Sequence, residues 1–203
     1  MAIVNGYATL STVKSALEIS DAVDDTMIEI AIESSSRLID GHCQRHFYAT
    51  SSEDRYYSAD STRACTIDDV AGTAIAVKTS SSIDGVYDET WATTDVQLEP
   101  LNRTSSGLSF PISRLVAVGD YLFPVASSGE TAVKVTAQFG FGLTVPKPIE
   151  QACILTASRN FKRYQSPLGA AGFGDIGVIM VRKFDPDVQA MLAPYRKDVV
   201  GLA

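Results

Sequence analysis

The chain predicts an α+β fold in which a small helical bundle, built from both termini, carries a β-rich insertion in its middle. Three observations predict it. Residues up to about Tyr48 hold apolar side chains at helical spacing. Residues 49–141 switch to Thr, Ser, Val and Tyr, in short runs broken by Asp-Gly and Ser-rich turns. From Pro146 the helical spacing returns and continues to about Pro194. The expected domains are therefore a discontinuous helical body, residues 1–48 and 142–203, and an insertion, residues 49–141.

A first helix is expected over Leu10–Glu18, with Thr9 or Ser11 as N-cap and Val13, Ala16 and Leu17 turned inward. In the second, Asp24 and Asp25 precede Thr26-Met27-Ile28-Glu29. That Thr-x-x-Glu spacing is that of a capping box, in which side chains satisfy the free N–H groups of a helix start. Ile28, Ala31, Ile32, Ser35, Leu38 and Ile39 then recur on one helical face. Acid at the start and Arg37, His42, Arg45 and His46 near the end oppose the charges that aligned peptide dipoles leave at helix termini.

Within the insertion, Val133, Val135, Ala137 and Phe139 alternate with Lys134, Thr136 and Gln138, the period of a half-buried strand. Arg63–Ile67 and Thr73–Thr79 read as further strands. Ile83-Asp84-Gly85-Val86 predicts a hairpin turn, since Asp-Gly accepts positive φ at low cost. Thr104-Ser105-Ser106-Gly107 and Ala126-Ser127-Ser128-Gly129 predict turns or exposed loops.

Pro148 suits the first turn of the next helix, where its missing N–H leaves nothing unpaired. From Ile149 to Tyr164, the apolar residues Ala152, Cys153, Ile154, Leu155, Ala157 and Phe161 fall on more than one side. So wide an apolar surface predicts a central helix with area left for a neighbouring subunit. Residues 165–177, rich in glycine and proline, read as a loop, and Val178–Val181 as a short strand. Asp185-Pro186-Asp187 caps a last helix ending near Ala193-Pro194, with Val188, Met191 and Leu192 as its stripe.

Composition narrows the function. With 45% hydrophobic and 20% charged residues, the chain is not disordered throughout. No run approaches the roughly 18 apolar residues of a membrane helix, so no membrane is expected as a partner. Met1–Leu10 has neither the basic nor the apolar region of a secretory signal. Cys43, Cys65 and Cys153 are odd in number and far apart, which fits buried reduced thiols rather than a disulfide framework. The net charge of −7 is uneven, being −10 over residues 1–146 and +3 over residues 147–203. A net acidic chain is poorly suited to gripping nucleic-acid phosphates. The basic C-terminal quarter reads as a solvated helix face or as a surface for an acidic partner.

No motif carries chemistry. Gly172-Phe173-Gly174-Asp175-Ile176-Gly177 matches G-x-G-x-x-G, but a dinucleotide site needs a strand before it and a helix after it. His42 and His46 share a spacing that could bind zinc, yet no second ligand cluster completes four. No serine lies in a G-x-S-x-G elbow, and Cys65 and Cys153 fall on apolar runs. No catalytic residue, cofactor or metal is expected.

Two sets of residues carry a resemblance. One comprises Val13, Ala16-Leu17, the acidic stretch Asp21–Asp25, the helix through Ile39-Asp40, and Cys43-Gln44-Arg45-His46-Phe47. The other comprises Phe139-Gly140-Phe141-Gly142, Val145-Pro146, Ile149 to Ala152, Arg163-Tyr164-Gln165-Ser166-Pro167 and Leu192-Ala193-Pro194-Tyr195-Arg196. In this order and spacing, over residues 9–48 and 139–197, the chain resembles the head–tail connector, or adaptor, proteins of tailed bacteriophages. The resemblance implies a bundle of short helices without an active site, assembled as a ring, commonly of twelve copies, beneath a portal protein. It implies a tail-side neck or stopper protein on the other side, and DNA passing through the channel without specific binding. It also implies a place in the virion neck, after synthesis in the cytoplasm of a bacterial host.

Partner contacts are then expected at Tyr195, Arg196 and Lys197, and at Gly169, Gly172, Phe173 and Gly174 in the preceding loop. Two other readings stay open. One is a binding module whose insertion recognises a carbohydrate or protein through Tyr56, Tyr57, Tyr87 and Trp91, residues that could equally form the insertion's own core. The other is an enzyme with a dispersed acidic site.

Overall fold

The computed structural model describes residues 3–105, 107–127, 129–164 and 185–197. The fold is α+β, with helices from both ends of the chain and antiparallel sheets between them. Two compact units result, one from the chain up to Phe47 and from Val145 onward, the other Tyr48–Thr144.

In the helical unit, α1 (Leu10–Leu17) starts at Thr9, where Thr9 Oγ1 accepts from Thr12 N and Thr12 Oγ1 accepts from Thr9 N. Val13 is its buried residue, whereas Ala16, expected inward, is exposed. Helix α2 (Asp25–Cys43) begins earlier than its Thr-x-x-Glu signal predicts. Asp24 is the N-cap, without a side-chain cap bond, so Thr26 already lies inside the helix and the capping box does not form. The cause lies upstream: Asp21 Oδ1 accepts from Val23 N at 3.0 Å and turns the chain. Lys14 Nζ then holds Asp25 at 2.5 Å in the first helical turn.

Helix α2 buries Ile28, Ala31, Ile32, Ser35, Ser36, Ile39 and Cys43, facing Ala152, Cys153, Thr156, Ala157 and Phe161 of α3 (Lys147–Tyr164). Small side chains let the two backbones approach, and the buried Ser35, Ser36 and Thr156 hydroxyls of the seam are each hydrogen-bonded. Ser36 Oγ donates to Ile32 O at 2.8 Å, Thr156 Oγ1 to Ala152 O at 2.7 Å, and Asn160 Nδ2 to Ser35 Oγ at 3.0 Å. Leu155 and Tyr164, by contrast, are exposed. Helix α4 (Pro186–Leu192) has Pro186 at its first turn, and it buries Val188 and Leu192. Its N-cap Asp185 makes no cap bond; the carboxylate pairs instead with Arg159 of α3 at 2.8 Å.

The β unit holds nine strands among its described residues: β1 (Glu53–Tyr57), β2 (Ala64–Val70), β3 (Ala76–Thr79), β4 (Glu89–Trp91), β5 (Val96–Glu99), β6 (Thr104–Ser105), β7 (Leu108–Ser109), β8 (Ile112–Ala117) and β9 (Val133–Ala137). One sheet runs β1-β9-β3-β4, a second β2-β8-β5, and β6-β7 is a small hairpin, all antiparallel. Val133, Val135 and Ala137 point inward, as their alternation predicts. They join Cys65, Ile67, Leu115, Trp91 and Phe123 in one core. The β3–β4 connection spans residues 80–88, longer than a two-residue hairpin. Positive φ falls on Ile83 (53°) and Gly85 (85°), while Asp84 bonds Ser80 Oγ and Val86 N through its carboxylate.

Beyond β9 the chain bridges to β2 at Phe139 and Val70, with Gly140 N donating to Asp69 O at 2.7 Å. Gly140 has φ 140°, and a Cβ there would sit 2.0 Å from Tyr48 O. Gly41, within α2, has open space around it. The two glycines should therefore respond to alanine with opposite signs. In chemical denaturation, Gly140→Ala is expected to cost on the order of 3 kcal/mol, and Gly41→Ala to gain about 0.5–1 kcal/mol. A Gly140→Ala protein as stable as the wild type would refute the close approach.

Candidate interaction surfaces

The C-terminal end of the described chain is held by a buried aromatic stack. Phe47 lies between Tyr7 (centroids 5.7 Å, 85°) and Tyr195 (5.8 Å, 78°), all edge to face. Tyr7 Oη accepts from Phe47 N at 2.7 Å and donates to Asp40 Oδ1. Arg37 pairs with Asp40 at 3.1 Å and lies 5.6 Å from the Tyr7 ring centre. Burial, then the Asp40 carboxylate, pushes the Tyr7 hydroxyl above its usual range. Burial also raises Asp40, against the Tyr7 hydrogen bond and the charges of Arg37 and His46.

Of the sequence-predicted contact residues, Tyr195 is packed inside this chain, 3% exposed. Its ring has a long-range partner, Phe47, that no local pattern reveals. Arg196 is exposed, and Lys197 N donates to Cys43 O at 2.9 Å, fixing where the chain leaves the end of α2. Gly169, Gly172, Phe173 and Gly174 lie outside the described residues, as do the G-x-G-x-x-G stretch and Val178–Val181.

The remaining candidates separate in space. Helix α2 stops at Cys43 and Gln44 turns left-handed (φ 56°), so His42 and His46 do not share a helical face. Among the described residues, no three His, Cys, Asp or Glu side chains group as metal ligands. Nor is any helix there long and apolar enough to cross a membrane. All three cysteines are buried, and burial pushes the Cys65 thiol up to about 12 and the Cys43 thiol up to about 11. Neither is an activated thiolate. The four aromatics of the insertion form no single face. Trp91 is buried, stacked on Phe123 at 4.5 Å, with Nε1 donating to Thr79 Oγ1 at 2.9 Å. Tyr56 sits outside against Tyr87, and Tyr57 donates to Asp68 at 3.0 Å.

Sequence reasoning missed an exposed apolar segment, Val118–Val125, between β8 and β9. Val118, Tyr121, Leu122 and Val125 are each 41–51% exposed. Phe123 anchors the segment under Trp91, and Phe123 N donates to Thr62 O at 2.8 Å. Arg63 Nη1 donates to Gly119 O at 2.6 Å and to Tyr121 O at 3.3 Å. The signal available was an apolar run without strand alternation, interrupted by Gly119 and Pro124. In the helical unit, a groove of about 140 Å³ is lined by Met27, Ile30 and Ala31 of α2 and by Asn160, Phe161 and Tyr164 of α3. A second, open groove of about 470 Å³ lies along α3 and α4, between Pro148, Ile154 and Met191.

The aromatic stack makes two measurable demands on stability. Tyr7→Phe removes the acceptor of the Phe47 N–H and the donor to Asp40, and is expected to cost about 1–3 kcal/mol. Asp40 acts through pH. Its folded pKa is raised above 3.8, so the folded chain binds this proton more tightly than the unfolded one. Its contribution to stability therefore falls as pH rises from 3.8 through the folded value. Denaturation of wild type and Asp40→Asn at about pH 4 and about pH 7 should show the wild type losing ground at the higher pH. A pH-independent difference would exclude the Asp40 charge as the cause.

No protein-family model matches this chain, and no curated protein matches it. Solved structures do. A chain in the neck of an empty gene transfer agent particle, computed with C6 symmetry, has a TM-score of 0.61 at 16% identity. A chain in the virion of the native gene transfer agent particle gives 0.58 at 16%. One in the native neck computed with C12 symmetry gives 0.55 at 18%. Each alignment covers 100% of this chain and 96% of the other. At these identities, what is shared is the fold, helical ends and β-rich middle together.

Proposed function

We propose that this chain is a structural subunit of the neck of a phage-like particle, forming a ring that joins a portal to tail-side neck proteins around the DNA channel. The observation that carries this reading is the likeness of fold, over the whole chain, to chains of gene transfer agent necks. Those necks were computed with C6 and C12 symmetry, which favours repeated copies of one subunit here. The resemblance of residues 9–48 and 139–197 to head–tail connectors points the same way. The geometry gives no support to thiol catalysis, since burial pushes up the Cys65 and Cys43 thiols, and none to a binding face through Trp91, which is inside the core.

Charge supports the channel. The β unit holds 12 Asp+Glu against 6 Lys+Arg, a net −6, whereas the helical unit is close to neutral at −1. An acidic wall repels phosphates and lets DNA slide. We assign the portal contact to the segment that follows the Tyr195 anchor, beginning at the exposed Arg196.

The test is the mass of the protein alone and mixed with the portal ring from the same genome. Stoichiometric capture is expected for the wild type. A chain ending at Lys197 keeps Tyr195 in its socket and should melt normally while binding the portal less. A chain ending at Pro194 also loses the buried ring, at a cost on the order of 3 kcal/mol. If the wild type neither oligomerises nor binds any portal or neck component, the reading fails.

A further inference from the structure

We propose that the loop Val118–Val125 of one copy docks on the α2/α3 groove and the basic end of α3 in the next copy, making the head-to-tail contact of the ring. This rests on the ring reading above and goes beyond it by naming the two surfaces. A closed ring of more than two copies needs a heterologous contact, in which different patches of each copy meet. The chain carries two such patches, one on each unit.

The first is the loop. Its backbone is pinned by Arg63 and by the Phe123 N–H, and Phe123 is rooted under Trp91. Little freedom is left for docking to freeze, so the exposed Tyr121 and Leu122 are preorganised as contact residues. Asp120, exposed, sits between Val118 and Tyr121, and Asp95 hydrogen-bonds the Tyr121 hydroxyl. The patch is therefore apolar with an acidic edge.

The second patch is its complement. The groove takes a single large apolar side chain, and its rim holds Ile30 and Tyr164, the latter 69% exposed. Lys162 and Arg163, both exposed, give this end of α3 its positive charge. Opposite charge at the edges of two apolar patches fixes register and disfavours like meeting like. That selects a second copy, presented head to tail, as the occupant.

Charge exchange tests the pairing. Asp120→Lys, and separately Lys162→Glu with Arg163→Glu, should each weaken self-association by about tenfold or more, measured by native mass or sedimentation, alone and on the portal. Mixing the two charge-reversed proteins should restore association between them, and Leu122→Ser should weaken it without rescue. Melting temperatures should stay unchanged for Asp120→Lys and Leu122→Ser and fall slightly for the α3 changes, which put acid where Lys162 and Arg163 complement the end of the helix. If the wild type assembles and no reversal weakens it, this contact is overturned while the ring stands. Weakening without rescue on mixing overturns the pairing of these two patches. A wild type that never associates overturns the ring reading and this contact with it.

Discussion

The packing of α2 against α3 is the constraint on which the rest of the structure depends, because these helices come from opposite ends of the sequence. Their seam is made of small side chains, Ser35, Ser36, Ala152, Cys153 and Ala157, each buried. Large residues in those places would separate the helices and leave the hydroxyl of Ser35 beyond reach of Asn160. Once α2 and α3 are joined, everything between them must leave the bundle and return to it. The β-rich stretch is thereby committed to a core of its own, built around the Trp91–Phe123 stack.

The same seam decides what the termini can do. The end of α2 supplies Cys43 O to Lys197 N, and Phe47 just beyond it receives Tyr195. The described chain is thus held at its C-terminal end by a buried ring and a backbone bond, both of which reach back to the end of α2.

Much of the architecture was legible in the sequence because periodicity reports burial directly. Ile28, Ala31, Ile32 and Ile39 on α2, and Val133, Val135 and Ala137 on β9, follow their periods into the core. What was not legible depended on partners far away in sequence. The capping box at Thr26 lost to a pair between Lys14 and Asp25, which starts the helix earlier. The packing of Tyr195 on Phe47 was not legible because nothing near Tyr195 in sequence announces that partner. The Val118–Val125 loop escaped notice for another reason. Its apolar residues are broken by Gly119, Asp120 and Pro124 and follow no period, and only the geometry shows Phe123 turned in while Tyr121 and Leu122 face out.

The sheet edges are guarded against indiscriminate strand pairing. An open edge would pair with any strand available. Edge strand β1 carries Glu53, Asp54 and Arg55, engaged in ion pairs with one another, with Asp68 and with Lys134. At the opposite edge β4 spans only Glu89–Trp91, and β5 ends at Glu99 before Pro100, which has no N–H to donate. Charge, brevity and proline make β1, β4 and β5 poor templates for strand pairing, and side-chain surfaces, by contrast, have a shape and charge that can choose one partner and orientation.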